Sequence, residues 1–66
     1  MNIKINGQIV TVEKAMTLAE LVLSKSLTPE HIVIEHNLQI VPKEIWGKTV
    51  IGDRDSVEIV SFVGGG

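Results

Sequence analysis

Residues Met1-Asn2-Ile3-Lys4-Ile5-Asn6-Gly7-Gln8-Ile9-Val10-Thr11-Val12 decide the fold. Met1, Ile3 and Ile5 alternate with polar neighbours, the period of a half-buried strand. Asn6-Gly7 supplies the positive φ that both centres of a type I′ turn require, so the chain folds back as a two-residue hairpin. That loop length fixes the register: Ile5 faces Gln8, Ile3 faces Val10, and Met1 faces Val12. Met1, Ile3, Ile5, Val10 and Val12 are therefore expected on the core face. Ile9 is expected on the outer face, beside Lys4.

Further along, Thr17-Leu18-Ala19-Glu20 reads as a capping box. Leu18, Leu21 and Val22 form one apolar helix face at i, i+3 and i+4, which predicts a helix from about Leu18 to Ser24 or Lys25. Met16 is placed to staple its entry and Leu27 to close the base of the core. Thr28-Pro29 stops the helix. Ile32-Val33-Ile34-Glu35 is a short strand with Ile32 and Ile34 inward. A turn is expected at His36-Asn37, then an extended piece from Leu38 to Val41. Lys43 to Trp46 fits a single helical turn that folds Ile45 or Trp46 onto the core. Residues 47–52 read as loop, anchored by Val50 or Ile51, and Asp53 to Ser56 as a polar turn. In the last strand Val57 and Ile59 face in, so Glu58, Val60 and Phe62 face out. Placing the first and last strands side by side buries both. The result is an α+β, ubiquitin-like β-grasp: a mixed four- to five-stranded sheet with one main helix across one face.

Composition narrows the function classes. The chain has 66 residues, enough for one small domain, expected over residues 1–62. It is 44% hydrophobic with one Trp, one Phe and no Tyr, so the core must be aliphatic. The absence of Cys removes disulfides, thiol nucleophiles and thiolate metal sites. The net charge is −2 and the basic residues are scattered, which argues against nucleic acid. No stretch approaches the roughly 20 apolar residues of a membrane span. A cytoplasmic monomer is expected.

Residues 63–66, Val63-Gly64-Gly65-Gly66, are expected to form a flexible tail. Three extended glycine residues reach at most roughly 10 Å and carry nothing that would block a narrow channel. One reading makes the Gly66 carboxylate a reactive group delivered into another protein's active site. The other makes the tail a frayed end. The glycines alone do not separate them.

Asn37-Leu38-Gln39-Ile40-Val41-Pro42-Lys43-Glu44-Ile45-Trp46 resembles the Asn-x-x-Ile-Val-Pro-Arg/Lys-x-x-Trp signature of the ThiS family, the β-grasp sulfur carriers of thiamine biosynthesis. Asp55-Ser56-Val57-Glu58-Ile59 resembles the segment that leads into that family's tail, and the resemblance runs end to end. It implies a carrier that is not itself an enzyme and binds no cofactor. A ThiF-like adenylating partner uses ATP to activate the terminal carboxyl. A cysteine desulfurase or other donor then supplies sulfur, and thiazole synthase takes the resulting thiocarboxylate sulfur into the thiazole ring. By position, Gly66 bears the thiocarboxylate, and Gly64 and Gly65 form the slender approach. The residues fit a co-substrate: a carboxylate needs a leaving group before it reacts, and the chain has no phosphate-binding loop and no nucleophilic triad with which to supply one. The chain departs from the family pattern at two places. Asp53-Arg54-Asp55 stands where Gly usually precedes the second Asp, and His36 stands where an aliphatic residue is common. A molybdopterin synthase small subunit is the alternative carrier. A docking module with an idle tail is the rival of another class.

Other residues admit a sharp and a plain reading. His31 and His36 at i, i+5 fall on opposite faces of a strand, so two separate histidines are expected and no metal site. Asp53, Asp55 and Glu58 read as a solvated turn. Trp46 reads as a core lid before a partner contact. Ile9, Val60 and Phe62 are apolar on outward faces and are candidates for a partner-docking patch beside the tail. In related carriers that face meets the activating enzyme. Lys4 and Arg54 are candidates for charge steering.

Overall fold

The computed structural model describes residues 1–62. Gly64, Gly65 and Gly66, with Val63, lie outside the described residues. Asn2–Ile5 (β1) and Gln8–Thr11 (β2) pair antiparallel around Asn6-Gly7, with Ile5 opposite Gln8 and Ile3 opposite Val10. Asn6 has φ 50° and Gly7 φ 83°, the left-handed pair this turn requires. Ser56–Ser61 (β7) lies parallel to β1, with Lys4 opposite Ser56 and Ile5 opposite Val57. On its other side β7 pairs antiparallel with Ile32–His36 (β4) over five residues, and Gln39–Ile40 (β5) closes that edge. The order β2-β1-β7-β4-β5 makes a mixed five-stranded sheet with the first and last strands inside it. This is the β-grasp arrangement expected from the pattern.

The helix Leu18–Ser24 (α1) covers one face. Both halves of the capping box are made: Glu20 N–H donates to Thr17 Oγ1 at 3.1 Å, and Thr17 N–H donates to Glu20 Oε1 at 2.8 Å. Leu18, Leu21 and Val22 are buried beneath it. Ile3, Ile34, Ile51 and Val57 are also fully buried, and no polar residue is buried among the described ones. Trp46 is the lid. It sits in a 3₁₀ turn, Lys43–Lys48, at 4% exposure, and its Nε1–H donates to the Val41 carbonyl at 2.9 Å. Ile45 turns to solvent.

Three expectations change. Val10 is exposed, although it is opposite the buried Ile3. It lies on an edge strand, and a seven-residue helix, about 10 Å long, leaves that edge uncovered. Met16 is half-buried against the core at the helix entry, and it also belongs to a strand. Met16–Thr17 (β3) pairs with Val50–Ile51 (β6) as a separate two-stranded sheet, which turns part of the expected loop into the seat of the helix start. Leu18 N–H donates to the Thr49 carbonyl at 3.0 Å in the same clamp. β4 runs one residue further than expected, through His36, and the turn is Asn37-Leu38, with φ 51° and 72°.

The turn before β7 holds Arg54 at φ 68°, where Cβ meets backbone and glycine is favoured. Its N–H donates to the Asn2 carbonyl at 2.6 Å, and the Asp53 carboxylate accepts from Asn2 N–H at 2.8 Å, so the turn is locked to β1. The Arg54 side chain is exposed, and its pairing with Asp53 at 3.9 Å contributes little. Arg54→Gly is therefore expected to stabilise the fold by ~0.5–1 kcal/mol, because relief of the left-handed penalty outweighs the added chain entropy. Urea midpoints measure this. A lower midpoint for the variant means the turn carries no strain.

Candidate functional site

β7 leads toward the tail, and the two strands beside it fix its course. Asn6 N–H donates to the Val57 carbonyl at 2.9 Å. Its side-chain Oδ1 accepts from Ile59 N–H at 2.7 Å, so one asparagine extends the ladder where β1 has already turned away. Beyond that point β4 alone pairs with β7, as far as Ile32 opposite Ser61. Phe62 N–H donates to the His31 carbonyl at 2.9 Å, which secures the last described residue.

Alternation along β7 puts Val57 and Ile59 toward the helix and Glu58 and Val60 on the open face. Val60 (58% exposed) faces Val33 across the strands, and Phe62 (47% exposed) follows on the same side. Ile40 on β5 joins the face opposite Glu35. Val60 and Phe62 are thus brought together at the tail end, with Val33 and Ile40 added. Ile9 is not brought there. It pairs with Lys4, which pairs with Ser56, four residues or about 13 Å back along β7 from Val60. Ile9 instead borders a separate shallow cleft of about 250 Å³ with Asn2, Lys4 and Arg54. Val33 was legible in principle. It lies between Ile32 and Ile34, and strand alternation sends it outward once those two are in the core.

At the other end of β7 a polar cluster holds the strand entry. His36 Nε2 lies 2.7 Å from Asp55 Oδ2, which also accepts from Gly52 N–H at 2.7 Å. An ionised carboxylate only accepts, so the ring presents Nε2–H. Asn37 and Ser56 exchange bonds beside them: Asn37 Oδ1 accepts from Ser56 N–H at 2.9 Å, and Asn37 N–H donates to the Ser56 carbonyl at 2.8 Å. Partial burial by itself would raise the Asp55 pKa. The Gly52 N–H, then the His36 ring and Asn37, outweigh it and hold the carboxyl below the usual range. His31, with its carbonyl at Phe62 and its side chain exposed, is far from this group. Among the described residues no three His, Asp or Glu side chains converge as a metal site requires. No described helix is long and apolar enough to cross a membrane.

The ThiS family model matches residues 3–66. A sulfur carrier protein ThiS from Bacillus subtilis is 37% identical over 97% of this chain and 98% of its own length. The chain belongs to the ThiS family. A crystal structure of a thiamine biosynthesis protein (ThiS) from Geobacter metallireducens superposes with a TM-score of 0.86 at 30% identity, covering all of both chains. The Bacillus relative is a sulfur carrier. The chain also matches a thiazole synthase from Paramagnetospirillum magneticum at 35% identity, over all of this chain but only 20% of that protein. It spans the same share, a fifth, of a second thiazole synthase, from Magnetococcus marinus.

Both departures from the ThiS pattern, His36 and Asp53-Arg54-Asp55, fall in or beside the one cluster at the Ser56 end. A carboxylate whose native pKa is lowered gives stability that is fully present above its unfolded value of about 3.9 and is lost as pH falls through the native value. Asp55→Asn keeps one acceptor but loses the charge and should cost about 1–2 kcal/mol at neutral pH. Wild type and variant should converge in stability as pH falls below about 4. Urea melts from pH 7 to pH 2.5 test this. A gap that stays constant over that range would assign the loss to packing and not to the ionised carboxylate.

Proposed function

We propose that this chain is a sulfur carrier for thiazole formation in thiamine biosynthesis, a protein co-substrate worked on by partner enzymes. The carrying observation is the nearly full-length match to a sulfur carrier protein ThiS. In this reading the reactive carboxyl is that of Gly66, reached along Gly65 and Gly64, at the last residue the family model covers. The carboxylate oxygen attacks the α-phosphorus of ATP in a ThiF-like adenylating enzyme, and pyrophosphate leaves. Sulfide then attacks the acyl carbon and AMP leaves with the bonding pair; where a cysteine desulfurase is the donor, its persulfide attacks instead and a thiol reductant cleaves the resulting S–S bond to free the thiocarboxylate. The thiocarboxylate passes its sulfur to thiazole synthase. Thiazole synthases that contain a match to this chain within one longer polypeptide support that partner. In this reading ATP is the partner's co-substrate and is bound there. Residues 1–62 act as the recognised body and residues 63–66 as the delivered tail.

The first test is the intact mass after incubation with ATP, a sulfur source and the adenylating enzyme. Exchange of one oxygen for sulfur is expected, and none when Gly66 is deleted or the chain is extended beyond it. An unchanged mass, with an enzyme shown active on another carrier, leaves a docking module with an idle tail.

A second test concerns the body. Phe62 and Val60 are exposed, so their truncation removes little core. Phe62→Ala should weaken binding to the adenylating enzyme by about tenfold or more while shifting the thermal midpoint by only a few degrees. Loss of both in proportion would make Phe62 a structural residue.

A further inference from the structure

The two edges of the sheet are finished differently. β5 is two residues long and Pro42 stands just beyond it, so that edge offers little to an added strand. β2, at the other edge, has neither protection. Gln8, Ile9, Val10 and Thr11 include no charge and no proline, and all four are exposed. The direction of their backbone groups follows from the pair just beyond them. Val12 N–H donates to the Met1 carbonyl at 2.8 Å, and the Met1 amine donates to the Val12 carbonyl at 2.7 Å. In an antiparallel pair such exchanges recur at every second residue, so Val10 and Gln8 also face β1. The N–H and carbonyl groups of Ile9 and Thr11 therefore point away from the sheet, where no described element pairs with them. Val10 lies uncovered beside them on the helix side.

We propose that this edge is the interface of a homodimer, in which β2 pairs antiparallel with β2 of a second copy about a two-fold axis at Val10. An axis perpendicular to the sheet keeps both helices on one face and makes the contact self-complementary. Centred on Val10, it sets Ile9 opposite Thr11 of the second copy, and Thr11 opposite the second copy's Ile9. Each of these pairs exchanges two hydrogen bonds, so every outward backbone group of β2 is met. Centring on Ile9 would call on Gly7, which is committed to the hairpin turn at φ 83°. Centring on Thr11 would call on Glu13, beyond the strand. At the axis the two Val10 side chains meet in the gap that the short helices leave. Charge agrees with a second copy as the occupant. Past the strand, Glu13 falls level with Gly7 and Lys14 with Asn6, and on the outer face Lys4 and Ile9 continue into Thr11 and Asn2 of the second copy. No like charges meet. The two β7 strands then lie five strand spacings, about 24 Å, apart and run in opposite directions. Each tail departs at its own end, and the sheet face beside it stays open. The free chain is thus a dimer, in place of the expected monomer.

One short strand a side buries less than the roughly 1,200 Å² of a standard interface, so the dimer is weak, with a dissociation constant on the order of 0.1 mM. Sedimentation equilibrium from about 10 μM to about 1 mM should show the mass rising from 7.2 kDa toward twice that value. Ile9→Pro removes an N–H that makes no bond within the chain. The thermal midpoint should therefore move by only a few degrees, while the dimer weakens at least about tenfold. Val10→Cys gives the chain its single thiol. Opposed residues of a non-hydrogen-bonded pair have Cα atoms about 4.5 Å apart, within reach of a disulfide. Under mild oxidation this variant should cross-link at least about tenfold faster than Ile9→Cys, whose twin across the axis lies diagonal to it. The two cysteine variants decide the matter if Ile9→Pro does not fold. A wild-type mass that stays at 7.2 kDa overturns the proposal, as does an Ile9→Pro variant that associates like wild type. Equal cross-linking of the two cysteine variants overturns the pairing at Val10 and the proposal with it. A monomeric wild type whose binding to the adenylating enzyme is lost in Ile9→Pro would give the edge to a partner's strand, against the proposal.

Discussion

The structure depends on β7 being paired on both sides. Parallel pairing with β1 covers only Lys4 opposite Ser56 and Ile5 opposite Val57. Yet it sets the direction in which the last strand runs. Parallel neighbours cannot be joined by a hairpin, so the chain between them must cross the sheet, and that crossover carries α1. The antiparallel ladder with β4 then holds β7 five residues deep. Because β1 and β7 run the same way, β7 leaves the sheet at the end where β1 has turned back and β4 begins. The Asn6 side chain and the His31 carbonyl meet it there. The strand is fixed up to the point from which a tail departs.

The remaining elements make a small aliphatic core possible. Seven residues of helix would not persist alone in water. Here the capping box satisfies the first backbone donors, and the β3–β6 pair grips the residues just before the helix. Trp46 supplies in one side chain the bulk that a chain with one Phe and no Tyr lacks elsewhere. Its Nε1–H is matched by the Val41 carbonyl, so the lid closes without an orphaned donor. The aliphatic core and this polar accounting are complementary: among the described residues all buried side chains are apolar, and none leaves a polar atom unpartnered.

What could be read from the sequence follows from how many residues carry each signal. Alternation over Met1 to Ile5 and a two-residue Asn-Gly loop fixed a hairpin register that the structure reproduces. Thr17 and Glu20 marked the helix start to the residue. The β3–β6 sheet left no periodic trace, because two-residue strands cannot show a period. The turn at Asn37-Leu38 was displaced because Leu38 has no propensity for φ 72°, and only the tertiary pairing of His36 with Val57 reveals it. Val10 was read as core because alternation reports a face and not how far that face is covered. The candidate face was partly legible. Val60 and Phe62 were visible as outward apolar residues, but their neighbours on β4 and β5, and the distance of Ile9, depend on strand order.

The two ends of β7 carry separate tasks. Ser56 and Phe62 are six residues apart, about 20 Å along a strand. At the Ser56 end, His36, Asp55, Asn37 and the strained Arg54 turn lock the strand entry to β1 and β4. At the Phe62 end the face is apolar and open. His36 and Arg54, the two departures from the resembled pattern, lie at the first end, where side chains decide how a turn is held. There His36 and Asp55 are matched to each other at 2.7 Å. The separation secures the strand entry with polar contacts and leaves the surface at the last described residues apolar and open.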